Sequence, residues 1–167
     1  MNAFPWCPFL KADKYCKMTI NWILKTFEDL SPFELYEILR LRSEVFVVEQ
    51  TCVFQDMDNK DQRSHHLMGM SDGRLVAYTR LVPPGIAYEF ASIGRVVTSP
   101  SARGGGIGKL LMTKSIEELE LLYGKVTIRI GAQVYLREFY NSFGFEQSSN
   151  IYDEDGIDHI QMDRNRM

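Results

Sequence analysis

Six residues constrain this chain more than any others: Arg103-Gly104-Gly105-Gly106-Ile107-Gly108. They separate a β-prone run, Ser92–Thr98, from an amphipathic stretch, Ile107–Tyr123. In that stretch Ile107, Leu110, Leu111, Leu119 and Leu122 fall on or near one helical face. Glycines free the backbone to turn sharply and to come close to a ligand. The helix that follows begins with unpaired N–H donors and a partial positive charge, so the turn is suited to holding a phosphate. Arg103 can add a charge-assisted contact. Two other phosphate motifs do not fit. A Walker loop needs Gly-Lys-Ser/Thr with a glycine five positions earlier, but Gly108-Lys109 is followed by Leu110 and position 103 is Arg. A dinucleotide fingerprint needs a third glycine where Lys109 stands, and an early βαβ unit, whereas this turn comes late in the chain. The remaining alternative is a plain tight connection.

The flanking segments fill out an α/β pattern. Thr19–Phe27 alternates as a strand through Ile20, Trp22 and Leu24. Ser31-Pro32-Phe33-Glu34 is a helix start, with Ser31 as cap, Pro32 in the first turn and Glu34 closing a capping box. Leu35, Ile38, Leu39, Arg42, Val45 and Phe46 follow at helical spacing, and the apolar members read as core. Thr51–Ser64 is polar, Asp-rich and reads as a loop. His66–Met70 and Leu75–Val82 read as strands joined by the hairpin turn Ser71-Asp72-Gly73-Arg74. Pro83-Pro84-Gly85 breaks the chain, and Gly124 stands where a helix-ending glycine belongs. Val126–Ala132 reads as a strand and Val134–Phe143 as a short helix stopped by Gly144. A closing hairpin turns at Asp155-Gly156 and ends in a strand over His159–Met162. The order strand, helix, three strands, helix, strand, helix, strands predicts a mixed α/β domain around a central sheet.

Length and composition narrow the function. At 167 residues the chain is one domain with room for a real core. A formal net charge of -3 argues against a broad nucleic-acid footprint, which needs a basic face. No apolar run approaches the length of a membrane span. Cys7, Cys16 and Cys52 show neither a disulfide framework nor zinc spacing, which points to a reducing, cytoplasmic setting. Residues 1–17 lack the basic n-region of a secretory signal and read as an N-terminal extension or a mis-assigned start, with 18–167 as the domain.

Arg103–Gly108 resembles the Arg/Gln-x-x-Gly-x-Gly/Ala signature of the GNAT N-acetyltransferases, with the strand and Pro100 before it similarly placed. A second constellation agrees. Gly131-Ala132-Gln133, followed by Phe139-Tyr140-Asn141-Ser142-Phe143-Gly144-Phe145, is similar to the GNAT pattern of an Asn, a Phe-Tyr pair and Gly-Phe, with Gln133 replacing the Asn. Similarity to the ElaA-like branch runs through Leu41-Arg42, Val45-Phe46-Val47-Val48-Glu49-Gln50, Ile93-Gly94-Arg95-Val96 and Tyr152-x-Glu154-Asp155-Gly156-x-x-His159. The resemblance spans about residues 19–163.

The resemblance implies a mixed, mostly antiparallel sheet flanked by helices, and direct transfer of an acetyl group from acetyl-CoA, without a metal, to an amine. It places the pyrophosphate on Arg103, Gly104, Gly105, Gly106, Ile107 and Gly108, and the pantetheine arm along Val96, Val97 and Thr98. Gln133 would offer an amide to CoA, and Tyr140 would act as general acid toward the departing thiolate. The acceptor would be a small-molecule or peptide amine, with no nucleic-acid or membrane partner and with room for a homodimer. One alternative is a CoA-binding GNAT-like module without turnover. Another is an acyl-homoserine-lactone-synthase-like acyltransferase, whose Arg-x-x-Val-Phe-Val pattern is similar but which lacks a good match to Arg103–Gly108.

An amine acceptor must lose a proton before it attacks. Glu49, Glu89, Glu154, His66 and His159 are the candidates to receive it. Glu49 stands out because a carboxylate opposes the dipole at a helix C-terminus and lies beside Gln50 and the acidic loop. It is expected to face the acceptor cleft with a pKa raised by partial desolvation. His66 and His159 read as core or edge histidines. Asp56, Asp58, Asp61, Asp153, Glu154, Asp155 and Asp158 read mostly as solvated turn residues that could draw in a cation if their two loops face one another. Arg42 and Arg95 read as ion-pair partners or substrate contacts.

Overall fold

Ser31 starts the first helix through the reciprocal bonds its sequence promises. In the computed structural model, which describes residues 19–165, the Ser31 Oγ accepts the Glu34 N–H at 3.2 Å and the Glu34 carboxylate accepts the Ser31 N–H at 2.8 Å. Helix α1 (Pro32–Arg42) then widens into a π-helical segment over Ser43–Glu49. There the Gln50 N–H reaches back five residues to the Val45 carbonyl at 3.2 Å, and the Cys52 N–H to that of Val47 at 3.2 Å. Wide turns of this kind often mark functional sites, because they re-aim the side chains that follow. The expected N-terminal extension, residues 1–17, lies outside the described residues.

The strands are β1 (Asn21–Thr26), β2 (His65–Ser71), β3 (Arg74–Val82), β4 (Ala91–Thr98), β5 (Ile128–Gln133), β6 (Glu146–Gln147), β7 (Tyr152–Glu154) and β8 (Ile157–Arg164). They form one sheet in the order β1-β2-β3-β4-β5-β8-β6, with β7 beside β8. Only β4 and β5 run parallel, so the sheet is mixed and mostly antiparallel. The hairpin turns at Asp72-Gly73 and Asp155-Gly156 have both central residues at positive φ, the conformation that matches strand twist. Helix α2 (Ile107–Tyr123) has the expected bounds. The expected helix over 134–143 divides into one tight turn, Val134–Leu136, and α3 (Arg137–Asn141). The last strand starts two residues before the expected His159, because the turn glycine Gly156 already sets pairing from Ile157 onward.

Helix α1 and the π-helical segment cover one face, burying Ile38, Leu41 and Val45 against Met68, Leu75, Tyr78 and Val97. Helix α2 covers the other, with Leu111 against Leu67 and Ala77, and Met112 and Leu119 in a cluster with Ile93, Ile130 and Met162. Ile93 and Val97 are four apart in β4, so a regular strand would aim them the same way. They pack on opposite faces because Arg95, at φ +51°, forms a bulge opposite the register shift between Tyr78 and Arg80. The bulge bends β4 away from β5. These two strands pair with each other only through Ala91–Ile128 and Ser92–Arg129, and from there to Thr98 and Gln133 each is paired on its other side alone. No helix among the described residues is long and apolar enough to cross a membrane.

Candidate active site

The diverging strands open a cleft of about 620 Å³. Val96, Val97 and Thr98 line one wall, Gly131 and Gln133 the other, and Tyr140 of α3 completes it. The π-helical segment roofs it with Glu49 and Gln50. The expected strand residues, Gln133, Tyr140, Glu49 and Arg103 therefore meet in one space.

At one end stands the glycine turn. Gly104 and Gly106 have φ of +91° and +80°, a region that costs an L side chain roughly 1–2 kcal/mol. None of the N–H groups from Gly104 to Gly108 has a backbone partner among the described residues, so successive donors face outward at the start of α2. This fits a pyrophosphate. Ile107 contributes only its N–H, since its side chain is buried with Leu111 and Ala102. Gly104 to Gly108 stand just past the cleft's own lining, which ends at Arg103. At Gly105 an added Cβ would meet nothing within 4 Å, and φ there is ordinary. Gly105→Val is therefore expected to keep the melting temperature of the parent and to weaken acetyl-CoA binding at least about tenfold in isothermal titration, by holding the ligand off the donors. Unchanged affinity would remove the pyrophosphate from this turn.

Glu49 is placed otherwise than its sequence position suggests. Its carboxylate takes two hydrogen bonds from Arg103, at 2.5 and 2.8 Å, while Arg103 also donates to the Thr98 carbonyl at 3.3 Å. The Arg103 guanidinium pushes the Glu49 carboxyl down, the reverse of the raised pKa expected for a base. Helix geometry explains the difference: the wide turn swings Glu49 over the glycine turn, on the donor side of the cleft.

Tyr140 is 6 % exposed and sits edge-on to Phe139 and Phe145, with ring centroids 5.1 and 6.2 Å away. Burial pushes its phenol up to about 12, so it is a neutral O–H donor at any ordinary pH. Gln133, in the Asn position of the resemblance, sends its Nε2 to the Gln50 side-chain oxygen at 3.3 Å, which ties the end of β5 to the roof. Gln50 was not singled out from the sequence, although it adjoins Glu49.

The acidic loop 51–64 is not a solvated cation trap. Asp56 and Asp61 are buried. Arg42, fully buried, donates to Asp56 at 2.7 Å and to Asp61 at 2.9 Å. Arg80 grips Asp58 through two bonds of 2.6 and 2.7 Å and reaches Asp61 at 2.9 Å. Arg95 donates to Asp56 at 2.7 Å, which holds the bulge residue in its left-handed conformation. Three guanidiniums thus balance three carboxylates under the cleft. Arg80 Nε is the one buried side-chain nitrogen among the described residues without a partner. His66 is core, bonded to Tyr78 Oη at 2.8 Å and the Asp61 carbonyl at 3.0 Å, and burial pushes its pKa down. Glu89 does not line the cleft, whereas Glu154 and His159 do.

Comparison with known proteins matches this geometry. Residues 28–165 fit the family model described as an acetyltransferase (GNAT) domain. The chain belongs to the GNAT acetyltransferase family. A UPF0039 protein of Synechocystis is 44% identical over 146 residues, covering 87% of this chain and 95% of the relative. Protein ElaA of Escherichia coli is 40% identical over 147 residues. Its crystal structure superposes with a TM-score of 0.83, covering 88% of this chain and 100% of ElaA. An acyl-CoA N-acyltransferase from Pseudomonas aeruginosa superposes at 0.84 with 42% identity, covering 87% of this chain and 99% of that one. As a GNAT protein with ElaA as a relative, the chain is an acyltransferase, and the mixed, mostly antiparallel sheet with flanking helices is the fold of that family.

Proposed function

We propose that this GNAT protein transfers the acetyl group of acetyl-CoA directly to a primary amine of a small molecule or peptide in the cytoplasm. The observation that carries the reading is Tyr140, a buried neutral phenol in the wall of a cleft that leads to a helix start with free N–H donors. Arg103 and Gly104 to Gly108 would hold the pyrophosphate, and the unpaired edge of β4 at Val96 to Thr98 would run beside the pantetheine arm. The amine nitrogen attacks the thioester carbonyl carbon. The C–S bond breaks, its electron pair goes to sulfur, and the Tyr140 hydroxyl supplies the proton. His159 suits the amine's own proton: its Nδ1 must carry hydrogen to donate to the Ile157 carbonyl at 2.8 Å, which leaves Nε2 as the acceptor when the ring is neutral.

Glu49 takes a second role here, as the partner that Arg103 gives up when the pyrophosphate arrives. Glu49→Gln is expected to tighten acetyl-CoA binding by up to about fivefold at low salt, with the gain shrinking as salt rises. Titration at two ionic strengths checks this, and weaker binding would mean that Glu49 orders Arg103 for the ligand.

The test of the whole reading is thiol release from acetyl-CoA across a panel of amines, with calorimetric binding of acetyl-CoA alongside. Thiol release that depends on the amine supports the enzyme. Binding without release on any amine would favour a CoA-binding module, and no binding would remove both.

A further inference from the structure

The charged groups that line the cleft divide sharply. Glu49 is paired with Arg103, Asp58 with Arg80 and Lys60, and Arg95 with Asp56. Glu154 and Asp155, at the β7–β8 turn, have no cationic partner among the described residues. The cleft's far end therefore carries uncompensated negative charge, while its donor end is balanced. The turn is held in place from the roof, where Cys52 Sγ donates to the Asp155 carbonyl at 3.4 Å.

Two phenols converge beside Glu154. A Cβ placed on Gly131 would lie 3.2 Å from Tyr88 Oη and 3.4 Å from Tyr152 Oη. Glycine at this exposed point of β5 lets both hydroxyls come down close to the strand and so toward one another. Burial pushes both phenols up, which keeps them neutral, and Glu154 stands two residues from Tyr152 in β7, on the same face of that strand. His159 stacks behind Tyr152, with ring centroids 6.1 Å apart. Arg129 lies over the Tyr88 ring at 6.0 Å, but its charge is spent on Asp163 through two bonds of 2.7 Å.

We propose that Tyr88, Tyr152 and Glu154, gathered over Gly131, form the subsite that receives the ammonium head of a primary-amine acceptor. A primary ammonium has three N–H donors and no acceptor, and the subsite offers two phenol oxygens and one carboxylate. The carboxylate supplies a charge-assisted bond, and the aromatic faces favour a cation over a neutral group of the same size. The inference rests on the acyl-transfer reading for its meaning, since it puts the acceptor at the opposite end of the cleft from Arg103, with Tyr140 in the shared wall. Its binding test stands apart from turnover.

The test uses the full chain with ¹³C-labelled tyrosine rings, the signals of Tyr88 and Tyr152 being assigned with Tyr88→Phe and Tyr152→Phe. n-Butylammonium is titrated as the probe and 1-butanol as its uncharged counterpart. n-Butylammonium is expected to shift both signals saturably, with 1-butanol at least about tenfold weaker. Glu154→Gln should weaken the ammonium by about tenfold. Gly131→Ala should do the same, because its Cβ would crowd both hydroxyls out of position while the charge is kept. Equal response to both probes, an ammonium affinity unaffected by Glu154→Gln, or no response of these two tyrosines would overturn the subsite. Acetyl-CoA titrated into the same parent sample separates the two readings. If acetyl-CoA binds and these tyrosines ignore the ammonium, only the subsite fails. If acetyl-CoA does not bind, the acyl-transfer reading fails and the ammonium result still decides the subsite.

Discussion

Tyr140→Phe is expected to lower the turnover number for thiol release by about 10²–10⁴-fold, the usual worth of a positioned proton donor. The substitution keeps the ring that packs edge-on to Phe139 and Phe145 and removes only the hydroxyl. Acetyl-CoA affinity should be essentially unchanged, because the lost interaction is made only as sulfur takes on charge. The pH profile supplies a second check. A phenol acts as an acid only while protonated, and burial holds Tyr140 at about 12, so it should add no alkaline limb to the turnover profile until pH nears that value. Full turnover in Tyr140→Phe would show that the thiolate leaves unaided or takes its proton from water.

The largest effect on stability is expected from Arg42→Met. The side chain keeps much of its volume and loses the charge that serves Asp56 and Asp61 together. Arg95 and Arg80 still reach these two carboxylates, but two guanidiniums are then left for three of them. An uncompensated buried charge costs about 3–5 kcal/mol, a large part of the total stability of a domain, and urea unfolding would read it directly. The same network sets the response to acid. Burial alone would raise Asp58 and Asp61, but their guanidinium bonds outweigh it and hold both carboxyls below the ordinary value near 3.9. Groups depressed in the folded state give their full stabilisation above the unfolded value and lose it as pH falls toward the folded one. The parent should therefore begin to weaken below about pH 6.5, where the unfolded chain takes up the proton that buried His66 resists, and weaken further below about pH 4 as the carboxylates follow. An unfolding midpoint in Arg42→Met equal to the parent's would mean that the three-by-three network contributes nothing.

Much of the fold was legible because local chemistry marks its own boundaries. Ser31 with Glu34, Asp72-Gly73, Gly124 and Asp155-Gly156 each announce a cap or a turn, and each stands in the structure at its expected place. Strand pairing was harder. Gly94 inside the strand is the only local hint of a bulge, since Arg95 itself is neither glycine nor asparagine. Its positive φ is held by Asp56, 39 residues away. The cleft depends on that bulge, so its shape could not be read locally. Glu49 was misplaced for a related reason: whether a helix ends in ordinary or widened turns decides which way its last carboxylate faces. Tyr88 carries no sequence mark of its own, and its relation to Gly131 appears only when the loop after β3 folds over β5.

The loop after the π-helical segment hides a pattern of another kind. Cys52, Asp56 and the half-buried Phe54, Asp58 and Lys60 turn inward, while Thr51, Val53, Gln55, Met57 and Asn59 turn outward. This is a two-residue alternation, like that of a strand, but without strand pairing, and with charge where a strand would carry apolar groups. It divides the loop's tolerance to change. In a library of single substitutions Val53, Gln55 and Met57 should accept nearly anything, while Thr51 and Asn59, both at positive φ, should favour glycine or asparagine. Asp56 and Asp58 should accept almost nothing alone, because each replacement leaves three guanidiniums to share two carboxylates. Viable variants at these inward positions should appear chiefly as matched pairs with Arg42, Arg80 or Arg95, so the ion network should behave as one unit under selection rather than as six independent sites.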